Sequence, residues 1–172
     1  AGKKKMCWAH YVGWGFNLVD GYDKAALSPT WMLFPFNDRT LLGRNLQWDT
    51  GIYFGARKQI DTARAYGIDG FCVNVIDPAA YCSALSRFFR DSEGTEFKIA
   101  LCIDRISYPN DYLLKHLGKF IERYKNHPNA CRIDGKMVIF VYNARGKKIA
   151  EWIELRNELR KRNLEAWYFV QP

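Results

Sequence analysis

The sequence predicts an α/β protein whose core is a parallel β-sheet covered by helices. Five short apolar runs alternate with segments of helical periodicity along the 172 residues. The apolar residues of each run are consecutive, which is typical of strands that are buried on both faces of a parallel sheet. No linker or shift in composition interrupts this repeat, so we expect residues 1–172 to form a single α/β domain.

The first strand–helix pair contains an unusually long connection. The first apolar run spans residues 6–12, and an irregular segment rich in Gly, Pro, Asn and aromatic residues then extends to about residue 51. Helical spacing follows around Ile60 and Ala63. We expect this helix to end at Gly67, because glycine favours the left-handed conformation that closes many helices.

The remaining elements repeat at closer intervals. The further strands are predicted at residues 70–76, 97–103, 137–142 and 166–170. Each helix between them has apolar residues spaced to form one buried face. These predicted core positions are Tyr81, Leu85, Phe88 and Phe89 in one helix, Leu113, Leu117, Phe120, Ile121 and Tyr124 in the next, and Ile149, Trp152, Ile153 and Leu159 in the last.

Periodicity alone leaves two architectures open. A doubly wound open sheet is complete with five strands and usually binds a nucleotide or phosphate through a Gly-rich turn after its first strand. Residues 13–51 contain neither G-x-G-x-x-G nor G-x-x-x-x-G-K-[ST]. Their length and aromatic content suit the mouth of a parallel (β/α) barrel of TIM type, which has eight strands and would be incomplete here with about five βα units.

Charge and composition exclude several functional classes. The net charge is +8, but the Lys and Arg residues are spread over the predicted helices without a nucleic-acid-binding motif, so we expect no nucleic-acid partner. The longest apolar runs are too short for a membrane span. The five cysteines and three histidines lack the spacing of a metal site, so we expect no metal and no cofactor.

Polar side chains end the predicted strands, and in parallel barrels function lies at these carboxyl ends. Aromatic rings beside polar groups suit sugars, because a pyranose ring offers both apolar C–H faces and hydroxyl groups. The predicted substrate-binding residues are His10, Tyr11, Trp14, Asn74, Asp104, Tyr142 and Asn143. Three more polar residues share this edge: Asp77, Arg105 and Gln171.

Each candidate also has a purely structural explanation. His10 could be a hydrogen-bonded core histidine, and Trp14 could fill the core of its own loop. Asp104 could form an ion pair with the neighbouring Arg105. Asn74 could cap the following turn through its side chain.

Three other polar residues precede strands, so we assign Asp69 and Asp134 to turns and His127 to the stabilising end of the barrel. Asp77 and Asp104 could also act as a glycosidase acid pair, since such carboxylates flank one bond at about 5 to 9 Å. Nothing in the sequence indicates that either carboxyl group has a raised pKa.

Three segments resemble glycoside hydrolase families 71 and 99. The segment AHYVGW at residues 9–14 resembles the opening strand of family 99 and the similar opening of family 71. The segment ARAYGIDGFCVN at residues 63–74 is similar to the passage of these families into their second strand. The segment YKNHP at residues 124–128, with GKMVIFVY at residues 135–142, is similar to the passage into their fourth strand.

The resemblance implies a (β/α)8 barrel that hydrolyses α-linked glycans, such as α-glucans or α-mannosides, and a secreted or periplasmic protein. The paired acids of these families lie on a later strand, in a Trp-Asn-(Asp/Glu)-x-x-Glu segment that has no match up to Pro172. By this resemblance the chain supplies the sugar-binding half of a barrel, and the catalytic residues lie beyond residue 172. We therefore expect the chain alone to be inactive.

Two other functions stay open. A complete doubly wound domain would bind a small ligand without catalysis, and a truncated remnant would serve as a scaffold or fold with a partner. A half-barrel would leave unpaired edges at its first and fifth strands, of which the fifth, WYFV at residues 167–170, is the more aromatic. We expect either self-association through these edges or their coverage by further sequence.

Overall fold

The computed structural model describes residues 6–11, 56–104, 106–142 and 144–170. Within these ranges the chain alternates strands and helices, and short 3₁₀ turns lie at Pro78–Ala80 and Ala144–Gly146. None of the described helices is long and apolar enough to cross a membrane. The elements are β1 (Trp8–Tyr11), α1 (Ala56–Ala65), β2 (Gly70–Val75), α2 (Tyr81–Ser92), β3 (Lys98–Ile103), α3 (Asn110–Tyr124), β4 (Arg132–Ile133), β5 (Lys136–Val141), α4 (Ile149–Lys161) and β6 (Ala166–Val170).

The parallel strands are neighbours in the order in which they occur along the chain. β1 pairs with β2, β2 with β3, β3 with β5 and β5 with β6, all in parallel. The described strands contain no reversal of order, and therefore no topological switch point of the kind at which doubly wound sheets bind ligands. The alternative of a complete doubly wound domain is wrong. The chain forms an incomplete parallel (β/α) barrel of TIM type, with five parallel strands in the ranges that the structure describes.

The sheet is strongly curved. Trp8 on β1 and Phe140 on β5 lie with ring centroids 5.7 Å apart, although β2 and β3 separate their strands. Such a contact requires the sheet to bend toward one face, which we call the inner face. On the outer face, alternate residues such as Phe71, Val73 and Val75 are buried against the helices and form the main core.

The predicted apolar faces of α2 and α3 are confirmed, and that of α4 is partly wrong. All the core positions predicted in α2 and α3 are buried. In α4 the buried residues are Leu155 and Leu159, whereas Ile149 and Ile153 are exposed. Helical spacing identifies an apolar stripe, but it does not show which side of a helix the neighbouring elements cover.

The amino ends of the strands hold structural polar residues. Asn129 is buried, and its side-chain amide donates to the carbonyl oxygens of Ser92, Thr95 and Phe97, each at 2.9 Å. Asp134 and Gly135 both have positive φ, 50° and 78°, and connect β4 to β5 in a tight antiparallel turn. The structure thus places the predicted turn residue Asp134 in a turn, and adds a two-residue strand, β4, that we did not predict.

Candidate functional site

The carboxyl ends of four parallel strands bring polar side chains to one edge of the inner face. His10 lies near the end of β1 and Asn74 near the end of β2, while Asp104 follows β3 and Tyr142 follows β5. Backbone hydrogen bonds between the strands fix the positions of these residues along the sheet. The Asp104 amide donates to the carbonyl oxygen of Val75 at 3.4 Å, and the Tyr142 amide donates to the carbonyl oxygen of Ile103 at 2.8 Å. Four of the predicted site residues therefore share this edge.

His10 and Tyr142 form the aromatic part of the site. Their ring centroids are 5.8 Å apart and the ring planes are tilted by 43°. Both residues are exposed, so the pair presents ring surface and polar atoms to a ligand. The structural explanation of His10 as a buried core histidine is therefore wrong.

Asn74 and Asp104 form the polar part of the site. The Asn74 side-chain amide donates from Nδ2 to Oδ2 of Asp104 at 2.9 Å, and both side chains are half-buried. The Oδ1 atom of Asn74 is buried and accepts no hydrogen bond from the part of the chain that the structure describes. A buried acceptor without a donor is destabilising, and a hydroxyl group of a ligand or water would satisfy it.

Free thiols lie next to this polar pair on the inner face. Cys72 on β2 donates a hydrogen bond to Cys102 on β3, which raises the pKa of Cys72 and lowers the pKa of Cys102. Burial raises the pKa of Cys131 to about 11. Among the described residues, no group of three or more His, Cys, Asp or Glu side chains is arranged to hold a metal ion.

Aromatic side chains line the inner face below the polar edge. The Phe140 ring centroid lies 5.7 Å from that of Trp8 and 5.6 Å from that of Phe169. Trp8 packs directly over Gly70, where a Cβ atom would lie 2.7 Å from Cζ3 of the indole. The absence of a side chain at Gly70 thus makes room for the indole.

Other predicted site residues have different positions. Tyr11 points to the outer face, where its ring centroid lies 5.1 Å from Phe71 and 4.9 Å from Phe88, so it belongs to the helix-packed core. Consecutive residues of a strand point to opposite faces, so His10 and Tyr11 could not both face the site. This alternation was readable from the sequence. Trp14, Asn143, Arg105 and Gln171 lie outside the described residues.

Asp77 acts as a cap. Its Oδ1 accepts a hydrogen bond from the Ala79 amide at 2.9 Å, at the start of the 3₁₀ turn that follows β2. Its carboxylate therefore has a structural role in the chain. No observation supports the alternative of Asp77 and Asp104 as an acid pair.

Sequence reasoning missed Lys147, which joins two loops at this edge. Its side chain is 3% exposed, and its Nζ donates to the Tyr108 carbonyl oxygen at 3.1 Å and to Oδ1 of Asn110 at 2.8 Å. The loop after β3, which begins with Asp104, is thereby fastened to the loop after β5. A single lysine in a polar loop carries no sequence signal that distinguishes it from a solvated one.

Comparison with protein families shows that the chain matches Glycosyl hydrolase family 71. The matched region covers residues 54–171, which is more than half of the chain. A search of curated protein sequences finds no match.

Comparison with solved structures shows the same kind of fold. Two structures of the family GH99 endo-α-mannosidase from Bacteroides thetaiotaomicron are similar to this chain, one of them in complex with bis-tris propane. The complex has a TM-score of 0.65 at 17% identity and the other structure 0.67 at 16%. They cover 95% and 96% of this chain, but this chain covers 51% and 55% of theirs. It thus spans about half the length of the structures that it matches.

Proposed function

Because this chain belongs to glycosyl hydrolase family 71, we propose that it forms the sugar-binding part of an enzyme that hydrolyses α-linked glycans. The arrangement of Asn74 and Asp104 beside His10 and Tyr142 is the observation that supports this most directly. A half-buried carboxylate and an amide oxygen without a donor accept sugar hydroxyl groups, while the exposed rings contact the C–H faces of the pyranose. These groups face inward at the carboxyl edge, where barrel enzymes have their active sites.

The proposed substrates are α-glucans or α-mannosides. The matched solved structures are those of an endo-α-mannosidase, which supports the α-linked class. We propose that the residues of this chain bind and orient the sugar. Proton transfer at the glycosidic bond is assigned to a pair of carboxylic acids beyond residue 172, in keeping with the two-carboxylate chemistry of most glycosidases.

The binding part of the proposal is tested with titration calorimetry on α-glucan and α-mannan oligosaccharides. Asp104→Asn should weaken binding by about 10-fold or more, because hydrogen bonds to charged groups contribute about 1.5–3 kcal/mol. Asn74→Ala should weaken it by about 2- to 10-fold, because a neutral hydrogen bond contributes about 0.5–1.5 kcal/mol. Asp134→Asn is the matched control, since asparagine tolerates the positive φ of that turn and the residue lies at the opposite end of the strands. Unchanged affinity in both site variants would refute the proposed site.

The catalytic part is tested with an α-glycosidase assay on the 172-residue chain. We expect no turnover above that of a heat-denatured sample. Measurable hydrolysis that is lost in Asp104→Asn would show that a catalytic carboxylate lies in this chain and that our assignment of the acids is wrong.

We also propose that the protein works outside the cytoplasm, in the periplasm or as a secreted enzyme. Members of glycosyl hydrolase families 71 and 99 are often extracellular, and the match to family 71 supports this location. Fractionation of the source cells, followed by immunoblotting with a cytoplasmic marker as the control, tests it. Recovery together with the cytoplasmic marker would contradict the proposal.

A further inference from the structure

Three aromatic side chains form a row at the start of α3. Tyr108, Tyr112 and His116 are spaced four residues apart, so they lie on one side of the helix and of the turn that leads into it. The ring centroids of Tyr108 and Tyr112 are 5.4 Å apart with an interplanar angle of 26°, and those of Tyr112 and His116 are 4.5 Å apart. All three residues are half-buried, so part of each ring is open to solvent. We call these three residues the α3 aromatic row.

Asp77 adds a carboxylate to this row. The Tyr112 hydroxyl group donates a hydrogen bond to Asp77, and partial burial together with this negative charge raises the pKa of the phenol. Asp77 is exposed, and its Oδ1 atom also accepts a hydrogen bond from the Ala79 amide. The carboxylate is therefore held beside the rings by both the turn after β2 and α3. Because an ionised carboxylate has about four acceptor positions, it can still accept further hydrogen bonds from a ligand.

A buried hydroxyl group without a partner lies close to the same residues. Tyr81, the first residue of α2, is fully buried, and its hydroxyl group has no hydrogen-bond partner within the ranges that the structure describes. Burial raises the pKa of Tyr81, and the neighbouring Tyr108 and Asp77 raise it further. Buried polar groups are almost always satisfied by protein, by water or by a ligand. This hydroxyl group therefore indicates that a polar molecule binds next to the α3 aromatic row.

The chemistry of the row suits an uncharged ligand that carries hydroxyl groups. Burial and the nearby Lys115 and Lys119 lower the pKa of His116, so its imidazole is neutral at neutral pH. The row thus presents uncharged ring faces beside the carboxylate of Asp77, which repels anionic groups such as phosphate. A pyranose packs its C–H groups on aromatic faces and donates its hydroxyl groups to carboxylates. A neutral glycan therefore fits this surface.

Two loops connect the row to the candidate site. The loop after β2 runs from Asn74 to Asp77, and the loop after β3 runs from Asp104 to Tyr108. Each loop therefore begins at one partner of the Asn74–Asp104 hydrogen bond and leads to the row. Three or four residues span at most about 10–14 Å, so one oligosaccharide could reach both places. Lys147 holds the second loop in position, because its Nζ donates to the Tyr108 carbonyl oxygen at 3.1 Å.

We propose that the α3 aromatic row and Asp77 form an outer glycan-binding subsite, which receives the sugar residues that extend from the candidate site over the carboxyl edge of the sheet. The inference rests on the proposed function, because Asn74 and Asp104 would hold the inner end of the same glycan. Rings at this spacing also stabilise a helix by themselves. That role alone would need neither the carboxylate beside the rings nor a position at the carboxyl edge.

The three histidines of the chain allow a direct test, because they lie in separate places. His10 belongs to the candidate site and His116 to the row, whereas His127 lies at the amino end of the strands, with its Nε2 3.3 Å from Oε1 of Glu93. Their imidazole resonances are assigned with single His→Gln variants and followed by NMR during titration with α-linked oligosaccharides of glucose and mannose. Hexasaccharides should shift the His10 and His116 resonances and leave His127 unchanged. Disaccharides should shift His10 alone.

The pattern of shifts separates the outer subsite from the proposed function. Shifts of His10 without His116 at every oligosaccharide length would overturn the outer subsite and leave the proposed function intact. A shift of His116 without His10 would support glycan binding at the row and refute the inner site. Shifts of neither histidine would overturn both.

Titration calorimetry on a variant of the row gives a second measurement. Tyr112→Leu keeps an apolar side chain in the row but removes the ring and its hydroxyl group. It should weaken the binding of hexasaccharides by about 2- to 10-fold, as expected for the loss of an aromatic contact, and leave disaccharide binding unchanged. Tyr66→Leu is the control, because Tyr66 is 79% exposed and lies between α1 and the amino end of β2. An equal loss for both oligosaccharide lengths in Tyr112→Leu would contradict an outer subsite.

Discussion

The imidazole of His10 lies against the phenol ring of Tyr142, although their strands are separated by β2 and β3 in the sheet. This contact exists because the sheet bends toward its inner face, as the contact between Trp8 and Phe140 also shows. Curvature thus brings together residues that are 132 positions apart. The two rings stand at the edge where Asn74 and Asp104 are hydrogen-bonded to each other.

We predict that this ring pair contributes to glycan binding through its surface rather than through the Tyr142 hydroxyl group. Tyr142→Ala should weaken the binding of α-linked oligosaccharides by about 2- to 10-fold, since aromatic contacts of this kind contribute about 0.5–1.5 kcal/mol. Tyr142→Phe keeps the ring and should bind nearly as well as the unmodified chain. Titration calorimetry measures both, and a larger loss in the Phe variant than in the Ala variant would contradict the prediction.

Gly70 should tolerate no side chain. A Cβ atom there would lie 2.6 Å from the carbonyl oxygen of Lys98 and 2.7 Å from the Trp8 ring, so backbone and indole would both have to shift. We expect Gly70→Ala to lower the free energy of unfolding by about 1–3 kcal/mol, the usual cost of overpacking. Urea unfolding followed by circular dichroism measures this change.

Gly118→Ala is the matched control for Gly70→Ala. In α3 the added Cβ would meet Leu164 at 3.6 Å, an ordinary contact, and alanine is the better helix former. We expect this variant to be as stable as the unmodified chain or more stable by up to about 1 kcal/mol. Equal destabilisation by the two substitutions would show that the close approach at Gly70 is not the cause.

Asn129 should be one of the most important polar residues for stability. Asn129→Ala removes the amide that donates to three carbonyl oxygens between α2 and β3, and leaves buried acceptors without this donor. We expect a loss of about 2–3 kcal/mol in the free energy of unfolding, because unsatisfied buried groups cost about 1–3 kcal/mol. Asn126→Ala, at an exposed position three residues away, should change stability by less than about 0.5 kcal/mol.

Glu165 should make the stability of the chain sensitive to acid. Hydrogen bonds from Lys136 and Arg160 lower the pKa of its carboxyl group from 4.5 to about 2. A lowered pKa in the folded state means that ionised Glu165 stabilises the fold above pH 4.5, and that this contribution is lost as the pH falls toward about 2.

The measurement is a series of thermal unfolding curves for the unmodified chain and Glu165→Gln between pH 7 and pH 2. The Tm of the variant should be lower near neutral pH, and the difference should shrink below pH 4.5. The same series in about 1 M salt should show a smaller difference at neutral pH, because these groups are partly exposed and salt screens them. A difference that is constant from pH 7 to pH 2 would contradict the assigned pKa.

The sequence predicted the strands and helices well because each of them has a strong local pattern. The consecutive apolar residues of β2, β3, β5 and β6 indicated strands of a parallel sheet that are buried on both faces. The structure confirms the parallel sheet, but Trp167, Phe169 and Val170 of β6 are exposed. The short strand β4 was missed because two residues show no periodicity. Its signal was the Asp134–Gly135 pair, which is typical of a tight hairpin.

The sequence predicted only some of the residues of the candidate site, because whether a strand residue belongs to the site depends on which face of the sheet its side chain occupies. His10 and Asn74 are on the inner face, whereas Tyr11 points to the opposite face and packs in the core, because adjacent residues of β1 face opposite sides of the sheet. The hydrogen bond between Asn74 and Asp104 could not be predicted, since it depends on the register between β2 and β3. The burial of Lys147 likewise depends on how two loops pack.

Because the parallel strands are neighbours in chain order, each can pair with the sheet as soon as it leaves the ribosome. Each of β2, β3, β5 and β6 pairs in parallel with a strand that has already been made, so none of these pairings waits for later sequence. From β2 onward the helix between two such strands keeps the loops short, and short loops lose little entropy on closure. The growing polypeptide therefore always exposes its newest strand, and that strand stays vulnerable to aggregation until the next one emerges.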